Sequence, residues 1–331
     1  SSMGRMSHLL TLLALCLFSS FAPAARASEL SQDALAPAEA SEEHVLTRAV
    51  VAGASVSDGF GLGKELDTSV KLSHVFEAIC LKEGADFTPL GDSRFFMDPR
   101  GAGKRIIDAS LKADATCFIG IDFLFWYAYG SKSEARRLQH LELALSELER
   151  LECPVLLGDM PDMSMALEGG YMGRPLLSKE MIPSEETLVL LNKRLKAWVM
   201  ERSNAQIIPL AMMLGKIRSG ETIELRGLRY EPEELPTLLQ ADNLHLTAIG
   251  SSALCLLTAD LLVIDQERVT QADFLFDRAR AAARLKEIAT RVKEEELVAR
   301  EARKEQRRLD REERRKARER EKESEEQQPK D

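Results

Sequence analysis

The feature that most constrains the fold of this 331-residue chain is a regular alternation of short apolar runs with longer amphipathic stretches. The runs are AVVA from 49, ADFTPLGD from 85, ATCFIGIDFLFWY from 115, CPVLLGDM from 153 and AQIIPLAMM from 205. SSALCLLTADLLVID, from 251, has the length and composition of a final core helix. The alternation predicts parallel βαβ units, with helices on both faces of one five-stranded parallel sheet. In such a sheet, functional residues lie at the carboxyl ends of the strands.

The first apolar run ends in a glycine-rich turn that contains Ser55. A phosphate-binding loop does not fit, because Asp58 replaces its first glycine and Glu65 replaces its hydroxyl residue. A dinucleotide-binding turn fits poorly, because the third glycine of the segment 59–63 comes too early and no second strand with an acidic end follows. The remaining reading is a nucleophilic serine, which needs a base and an orienting acid elsewhere in the chain.

His245 is the histidine that best fits the role of the base. It follows Asp242 at a spacing that lets one loop present both side chains to a common point. Asp242 can then hold the imidazole in the tautomer that accepts the Ser55 proton. The other histidines lie in the N-terminal segments or in amphipathic helices, and they are His8, His44, His74 and His140.

These residues resemble the sequence blocks of the SGNH or GDSL-type serine hydrolases. The matching positions, in chain order, are Ser55 within Gly53–Gly59, Gly91, Gly120–Phe123, and Asp242 with His245. Ala54 stands where the first block usually has Asp, and Asp122 stands where the third block usually has Asn. The resemblance runs from about Val45 to Asp265. It implies a flavodoxin-like three-layer sandwich and a lipase or esterase activity.

The resemblance also implies a mechanism. Ser55 attacks an ester carbonyl, His245 removes its proton, and Asp242 orients the imidazole ring. The oxyanion hole is formed by the backbone amides of Ser55 and Gly91 and by the side chain at the Asn position, which here is Asp122. Neither a metal nor a cofactor is expected.

Asp122 departs from this pattern, because an ionised carboxylate opposes the negative charge of an oxyanion. Burial against Phe123, Phe125 and Trp126 can keep it protonated and able to donate a hydrogen bond. Alternatively, the side chain turns away and serves as a cap or an ion-pair partner. If Asp122 is a defective oxyanion donor, Asp122→Asn is expected to raise ester hydrolysis at neutral pH about tenfold or more.

A literal Gly-Asp-Ser sequence occurs at Gly91–Ser93. It follows the second predicted strand, whereas the nucleophile of this family follows the first. We therefore interpret Ser93 as a loop residue and Ser55 as the nucleophile.

The two ends of the chain differ from its centre. Residues 1–27 combine Arg5, the apolar stretch Leu9–Phe18 and the small-residue sequence Ala25-Arg26-Ala27, which predicts a cleaved secretory signal and export to the periplasm or the extracellular space. Residues 28–44 read as a flexible leader, residues 45–270 as the hydrolase-like domain and residues 271–331 as a charged helical tail that frays at its end. After signal cleavage, no integral membrane segment is expected.

The charge of the tail is balanced. The whole chain has a formal net charge of −9, but residues 291–331 contain 15 basic and 14 acidic side chains, a net charge of +1. Opposite charges three and four residues apart favour a solvated helix. A nucleic-acid-binding arm needs a large basic excess, and a coiled coil needs a sustained apolar seam. The remaining roles for the tail are a spacer or a contact with a protein partner.

The cysteines after the signal are Cys80, Cys117, Cys153 and Cys255. Each lies in or beside an apolar run without a C-x-x-C spacing, which favours buried thiols over a metal site. Cys117 and Cys153 are the pair closest to forming a disulfide, because their strands are predicted neighbours.

The leading functional hypothesis is an exported serine hydrolase that cleaves acyl esters of carbohydrate or lipid. The alternative is a catalytically weakened or inactive binding or structural protein with the same fold, in which the C-terminal helix docks to a partner. Residues near the predicted site that can line an acyl pocket, or simply pack in the core, are Trp126, Tyr127, Met160, Met163 and Met165.

Overall fold

The computed structural model describes residues 43–326, with side chains through residue 318. The predicted signal sequence 1–27 lies outside the described residues. So do most of the predicted leader 28–44 and the last residues of the tail, 327–331.

The centre of the domain is a five-stranded sheet in which every neighbouring pair of strands is parallel. Its strands are β1 (Ala49–Gly53), β2 (Phe87–Gly91), β3 (Cys117–Gly120), β4 (Val155–Gly158) and β5 (Ala205–Ile208). Their order across the sheet is β2-β1-β3-β4-β5. This is the flavodoxin-like order, in which the chain reverses its direction of travel between β1 and β3. The predicted fold class is confirmed.

Helices follow the strands, as the crossover connections between parallel strands require. They are α1 (Leu62–Leu66), α2 (Leu72–Ile79), α3 (Pro99–Lys112), α4 (Phe125–Ala128), α5 (Glu134–Leu148), α6 (Glu185–Met200), α7 (Leu210–Ser219), α8 (Ala248–Asp265) and α9 (Arg278–Glu326). Several begin at side-chain caps. Ser184 accepts a hydrogen bond from the Thr187 amide at the start of α6, and Thr247 accepts one from the Gly250 amide at the start of α8.

The core has two parts, one on each face of the sheet. Helices α2, α8 and α9 contribute to the first part, and α3, α5 and α6 contribute to the second. Successive residues of β1 alternate between them, with Val51 in the first part and Val50 and Ala52 in the second. Because both faces of the strand are buried, its sequence is continuously apolar rather than alternating. The result is a three-layer sandwich.

Two predicted strands are shorter than their apolar runs. The third run was expected to be extended to Tyr127, but β3 ends at Gly120 and Phe125–Ala128 forms α4. The fifth run ends at Ile208, and its last residues begin α7. Hydrophobicity alone does not separate a buried strand from a buried helix, so these boundaries were not visible in the sequence.

The segment between the fifth strand and the last core helix contains a small β-hairpin, β6 (Ile223–Leu225) and β7 (Leu228–Tyr230). Its two turn residues, Arg226 and Gly227, have φ values of 45° and 82°. Positive φ at both central residues is the geometry of the tight turns that match the twist of a hairpin.

Among the described residues, α8 is the one helix with the length and apolar composition of a membrane span. Most of its residues are buried inside the domain, including Leu254, Leu256 and Leu262. Burial against α2 and the sheet explains its apolar composition, so α8 is the central core helix of one layer.

Helix α9 begins inside the domain. Its first part buries an apolar stripe with helical spacing, consisting of Ala281, Leu285, Ile288, Ala289 and Val292. Beyond Val292 nearly all described side chains are exposed. The predicted domain boundary at residue 270 is therefore too early, because about four turns of the charged tail belong to the core.

All four cysteines in the described range 43–326 are free thiols, and those at positions 80, 117 and 255 are buried. Burial raises the pKa of the Cys80 and Cys255 thiols above the ordinary value, which disfavours the reactive thiolate. No disulfide joins Cys117 to Cys153.

We expect the two parts of α9 to respond differently to truncation of a leucine. Leu285→Ala removes a side chain that is 2% exposed and should lower the free energy of unfolding by about 2 to 4 kcal/mol. Leu297→Ala changes a side chain that is 51% exposed on the same helix, and it should change that free energy by less than about 0.5 kcal/mol. Chemical denaturation measures both, and equal effects would contradict the assignment of the first turns to the core.

Candidate active site

The candidate site lies at the carboxyl edge of the sheet, where β1 ends at Gly53 and the chain coils through the loop 54–61 before α1. Gly53 has a φ of 150°, and a Cβ at this position would lie 2.1 Å from Asp122 Oδ1 and 2.6 Å from Ser57 Oγ. Glycine is therefore required for the loop to close over β3. We call residues 54–58 the nucleophile loop.

Ser55, His245 and Asp242 form a continuous hydrogen-bonded chain. Ser55 Oγ lies 2.8 Å from His245 Nε2, and His245 Nδ1 lies 2.8 Å from Asp242 Oδ2. The structure therefore brings together the three residues that the sequence predicted, from positions 190 residues apart. Because the carboxylate accepts from Nδ1–H, Nε2 is left as an acceptor for the serine proton.

The loop that carries His245 is held by its own hydrogen bonds. Asp242 Oδ1 accepts from the amides of Leu244 and His245, at 3.0 and 2.9 Å. Asn243, which lies between Asp242 and Leu244, adopts a φ of 52°, a left-handed conformation that Asn tolerates better than most residues. The carboxylate of Asp242 thus orients the ring with one oxygen and shapes the backbone with the other.

Asp242 and His245 are 2% and 3% exposed, respectively. Burial by itself raises the pKa of the Asp242 carboxyl, but hydrogen bonds from the His245 ring and from two amides outweigh it and hold the pKa below its ordinary value. Asp242 is therefore ionised at neutral pH. An ionised partner stabilises the imidazolium that forms when His245 takes a proton.

Aromatic side chains that no sequence block indicated pack over the His245 ring. The Phe60 ring packs on the imidazole with 4.2 Å between ring centroids, and Tyr171 packs on Phe60 at 5.4 Å. Lys64 Nζ lies 4.2 Å from the centroid of the Tyr171 ring. Phe60 follows the nucleophile loop within six residues of Ser55, but Tyr171 comes from a distant loop and no local signal connects it to the site.

Asp122 is not placed as an oxyanion donor, which corrects the sequence expectation. Its side chain points into the nucleophile loop. Oδ1 accepts from the Ala54 amide at 2.9 Å and lies 2.6 Å from Ser57 Oγ, while Oδ2 accepts from the Val56 amide at 2.8 Å. The Ser57 amide adds a longer contact of 3.3 Å. The carboxylate is thus surrounded by donors on both sides of Ser55.

The protonation state does not change this conclusion. Burial raises the pKa of Asp122, while hydrogen bonds from the Ser57 hydroxyl and the loop amides act in the opposite direction. Backbone amides can only donate, so a proton on Asp122 has Ser57 Oγ as its acceptor, and that hydroxyl can then donate to the Ala52 carbonyl at 3.0 Å. In either protonation state the Asp122 carboxyl group is hydrogen-bonded within the nucleophile loop.

The sequence resemblance named two backbone amides, those of Ser55 and Gly91, as oxyanion donors. The Ser55 amide donates to no acceptor within the described residues, although the amides on either side of it bind Asp122. Gly91 is in register with Gly53 at the edge of the sheet, and a Cβ on it would lie 2.4 Å from the Asp58 amide nitrogen. A glycine here allows β2 to approach the nucleophile loop closely.

Ser93 is separate from the triad. Its hydroxyl donates to Asp58 Oδ2 at 2.5 Å, and Asp58 also forms an ion pair with Lys71 at 2.9 Å. A carboxylate that is paired with a lysine holds the hydroxyl in place but is a poor proton acceptor. The geometry agrees with reading Ser93 as a loop residue.

A cavity of about 70 Å³ opens at Ser55 and extends beneath α7. Of the residues that the sequence suggested for an acyl pocket, Met163 lines this cavity. Tyr127 and Met160 are buried in the second part of the core, and Trp126 packs against it. Met165 packs against the first part. Phe125 also lines the cavity. The sequence predicted a strand at this position, but Phe125 is the first residue of α4.

Comparisons with protein-family models, with curated proteins and with solved structures found no significant match.

The position of Asp122 reverses the expected effect of Asp122→Asn. An Asn side chain replaces one acceptor oxygen with an NH₂ group, which would face a backbone amide or the Ser57 hydroxyl. We expect the free energy of unfolding to fall by about 1 to 3 kcal/mol, and the reactivity of Ser55 to fall rather than rise, because the nucleophile loop loses its anchor.

Denaturant unfolding and the rate of reaction of Ser55 with a fluorophosphonate measure these effects. The matched control is Asp86→Asn, an exposed acid before β2 at the opposite end of the strand, which should change little. A more reactive Asp122→Asn protein of unchanged stability would restore the oxyanion role to this position.

Proposed function

We propose that this protein is a serine hydrolase that cleaves carboxylic esters. The observation that carries the proposal is the hydrogen-bonded chain from Ser55 through His245 to Asp242, with both contacts at 2.8 Å. A buried acid, a histidine and a half-exposed serine in this order make up the arrangement that activates a hydroxyl for acyl transfer. Its location at the carboxyl edge of a parallel sheet is also where such sites occur.

The reaction uses these side chains in two steps. Ser55 Oγ attacks the ester carbonyl carbon while His245 Nε2 takes its proton, and the alcohol then leaves with that proton to give an acyl-serine. In the second step water attacks the acyl carbon while His245 accepts its proton, the bond from that carbon to Ser55 Oγ breaks, the carboxylic acid leaves, and His245 returns the proton to Ser55. Asp242 keeps the imidazole in position and stabilises its charged form.

The developing oxyanion is bound by the backbone. In this proposal the amide of Ser55 donates to it, assisted by the amide of Gly91. Loss of one oxyanion donor in other hydrolases costs about 100 to 1000-fold in rate. Because Asp122 contributes no donor, we expect slower turnover than in an enzyme whose oxyanion hole contains a third donor.

The position of Asp122 also favours a second candidate, a binding protein that retains the fold and the triad but has lost turnover. The two candidates differ in the reactivity of Ser55. A hydrolase has a nucleophilic serine that forms a covalent adduct with a fluorophosphonate, whereas an inactive protein does not.

We further propose that the protein is exported. The basis is the sequence of residues 1–27, with its charged, apolar and small-residue regions. Cell fractionation and N-terminal sequencing of the purified protein test this, and a cytoplasmic protein that retains these residues would contradict it.

The test of the triad is covalent labelling. We expect a fluorophosphonate to label the wild-type protein at Ser55, and Ser55→Ala to abolish both the labelling and the hydrolysis of a short activated ester such as p-nitrophenyl acetate. The substitution removes a hydroxyl and little packing, so the variant should remain folded by circular dichroism.

Ser93→Ala is the matched control, because it removes a hydroxyl of similar exposure from the literal Gly-Asp-Ser sequence. It should retain labelling and activity within about a factor of three. Labelling that persists in Ser55→Ala and disappears in Ser93→Ala would reverse the assignment of the nucleophile.

A further inference from the structure

We propose that the cavity beneath α7 is the acyl-binding site, and that it selects esters of short unbranched alkyl acids of about four carbons. This inference rests on the proposed ester hydrolysis and specifies its substrate class. It depends on the position, the polarity and the size of the cavity.

The cavity begins at the nucleophile. Ser55 lines it directly, and one of its walls is formed by four apolar residues of α7, namely Leu210, Met213, Leu214 and Ile217. Leu244, from the loop between Asp242 and His245, lies on another side. An acyl group bound to Ser55 Oγ therefore has an apolar channel that starts at its carbonyl carbon.

Few polar side chains line the cavity. The polar side chains that line it are those of Ser55, Asp122 and Asp159. Asp122 is turned into the nucleophile loop, and Asp159 Oδ1 accepts from the Ala211 amide at 2.7 Å at the start of α7. A dicarboxylate would place its second charge beside two carboxyl groups, and a sugar-like acid would place its hydroxyl groups against mainly apolar walls, so an alkyl chain fits best.

The exposure of its walls supports binding rather than packing. Leu210, Leu214 and Leu244 are only partly buried, whereas Met213 and Ile217, which also line the cavity, are buried. Leu214 packs against both parts of the core, where the two layers meet at the edge of the sheet. A short chain inserted here would cover apolar surface that is exposed to water when the site is empty.

The size of the cavity limits the chain. Its volume of about 70 Å³ is about half that of an engineered cavity of about 150 Å³ that holds a benzene ring. The space suits three carbons beyond the carbonyl, as in a butyryl group. Burial of each methylene is worth about a fourfold gain in kcat/KM, or about 15-fold from acetyl to butyryl.

The experiment compares p-nitrophenyl esters of acetate, butyrate, hexanoate and decanoate on the wild-type protein. We expect kcat/KM to rise from acetate to butyrate by about 15-fold and to fall again by decanoate. A wild-type protein that hydrolyses esters but shows no preference for butyrate over acetate would overturn the acyl-site assignment and leave the proposed function standing.

Variants of α7 test whether the cavity causes the preference for butyrate over acetate. Leu214→Phe fills the cavity and should lower the butyrate-to-acetate ratio of kcat/KM by at least tenfold, whereas Met213→Ala enlarges it and should move the optimum to hexanoate or longer. Met212→Phe is the matched control on the same helix, since Met212 is 47% exposed and does not line the cavity. Its ratio should equal that of the wild type.

The outcomes separate the two proposals. Equal ratios in Leu214→Phe and Met212→Phe, or an unchanged optimum in Met213→Ala, would show that the acyl chain binds elsewhere. If the folded wild-type protein neither hydrolyses any of the esters nor reacts with fluorophosphonates carrying methyl, butyl or decyl chains, the proposed function fails and the acyl site fails with it.

Discussion

The candidate site depends on one buried carboxylate. Asp122 lies directly after β3 and accepts hydrogen bonds from amides on both sides of Ser55, in a loop that follows β1. The loop amides have no partners in regular secondary structure, and burying them unpaired would be costly. By binding them, Asp122 ties the carboxyl ends of two adjacent strands together and fixes the direction in which the Ser55 side chain leaves the backbone. The position of the triad follows from this contact.

The second half of the site is assembled from the other end of the domain. Asp242 both shapes its own loop and orients His245, so the conformation of the base is set by hydrogen bonds within this loop. Phe60 then packs on the imidazole from the nucleophile side. Two loops that are each held by internal hydrogen bonds therefore meet through the Ser55–His245 hydrogen bond, the Phe60–His245 ring contact and a hydrogen bond of 2.8 Å from Gln240 Nε2 to the Phe60 carbonyl. These contacts limit the entropy lost when the reacting groups align.

The fold and the triad could be predicted from the sequence because both leave periodic or local signals. Alternating apolar runs define the parallel sheet, and the order of strands fixes which residues share its edge. The D-x-x-H spacing places Asp242 and His245 on one loop, and Ser55 follows the first strand.

The orientation of Asp122 could not be predicted. The sequence shows an acid at that position, but the direction of its side chain depends on free amides in a loop 65 to 68 residues away. Tyr171 and the walls of the cavity are equally non-local. The first turns of α9 were assigned to the tail because many charged residues surround Leu285 and Ile288 in the sequence. The buried stripe to which these two residues belong is seen only when positions three and four residues apart are compared.

The composition of α9 changes along its length, and so does the solvent property to which each part responds. Near its start the helix is held by apolar burial against α2 and α8, which ionic strength barely affects. Farther along, exposed pairs such as Lys304 with Glu301 and Arg308 with Glu305 support the backbone. At physiological ionic strength the Debye length is about 8 Å, and added salt weakens such pairs further. One continuous helix therefore combines a base held mainly by apolar burial with an extension supported by exposed ion pairs, and we expect rising ionic strength to fray the extension before it loosens the base.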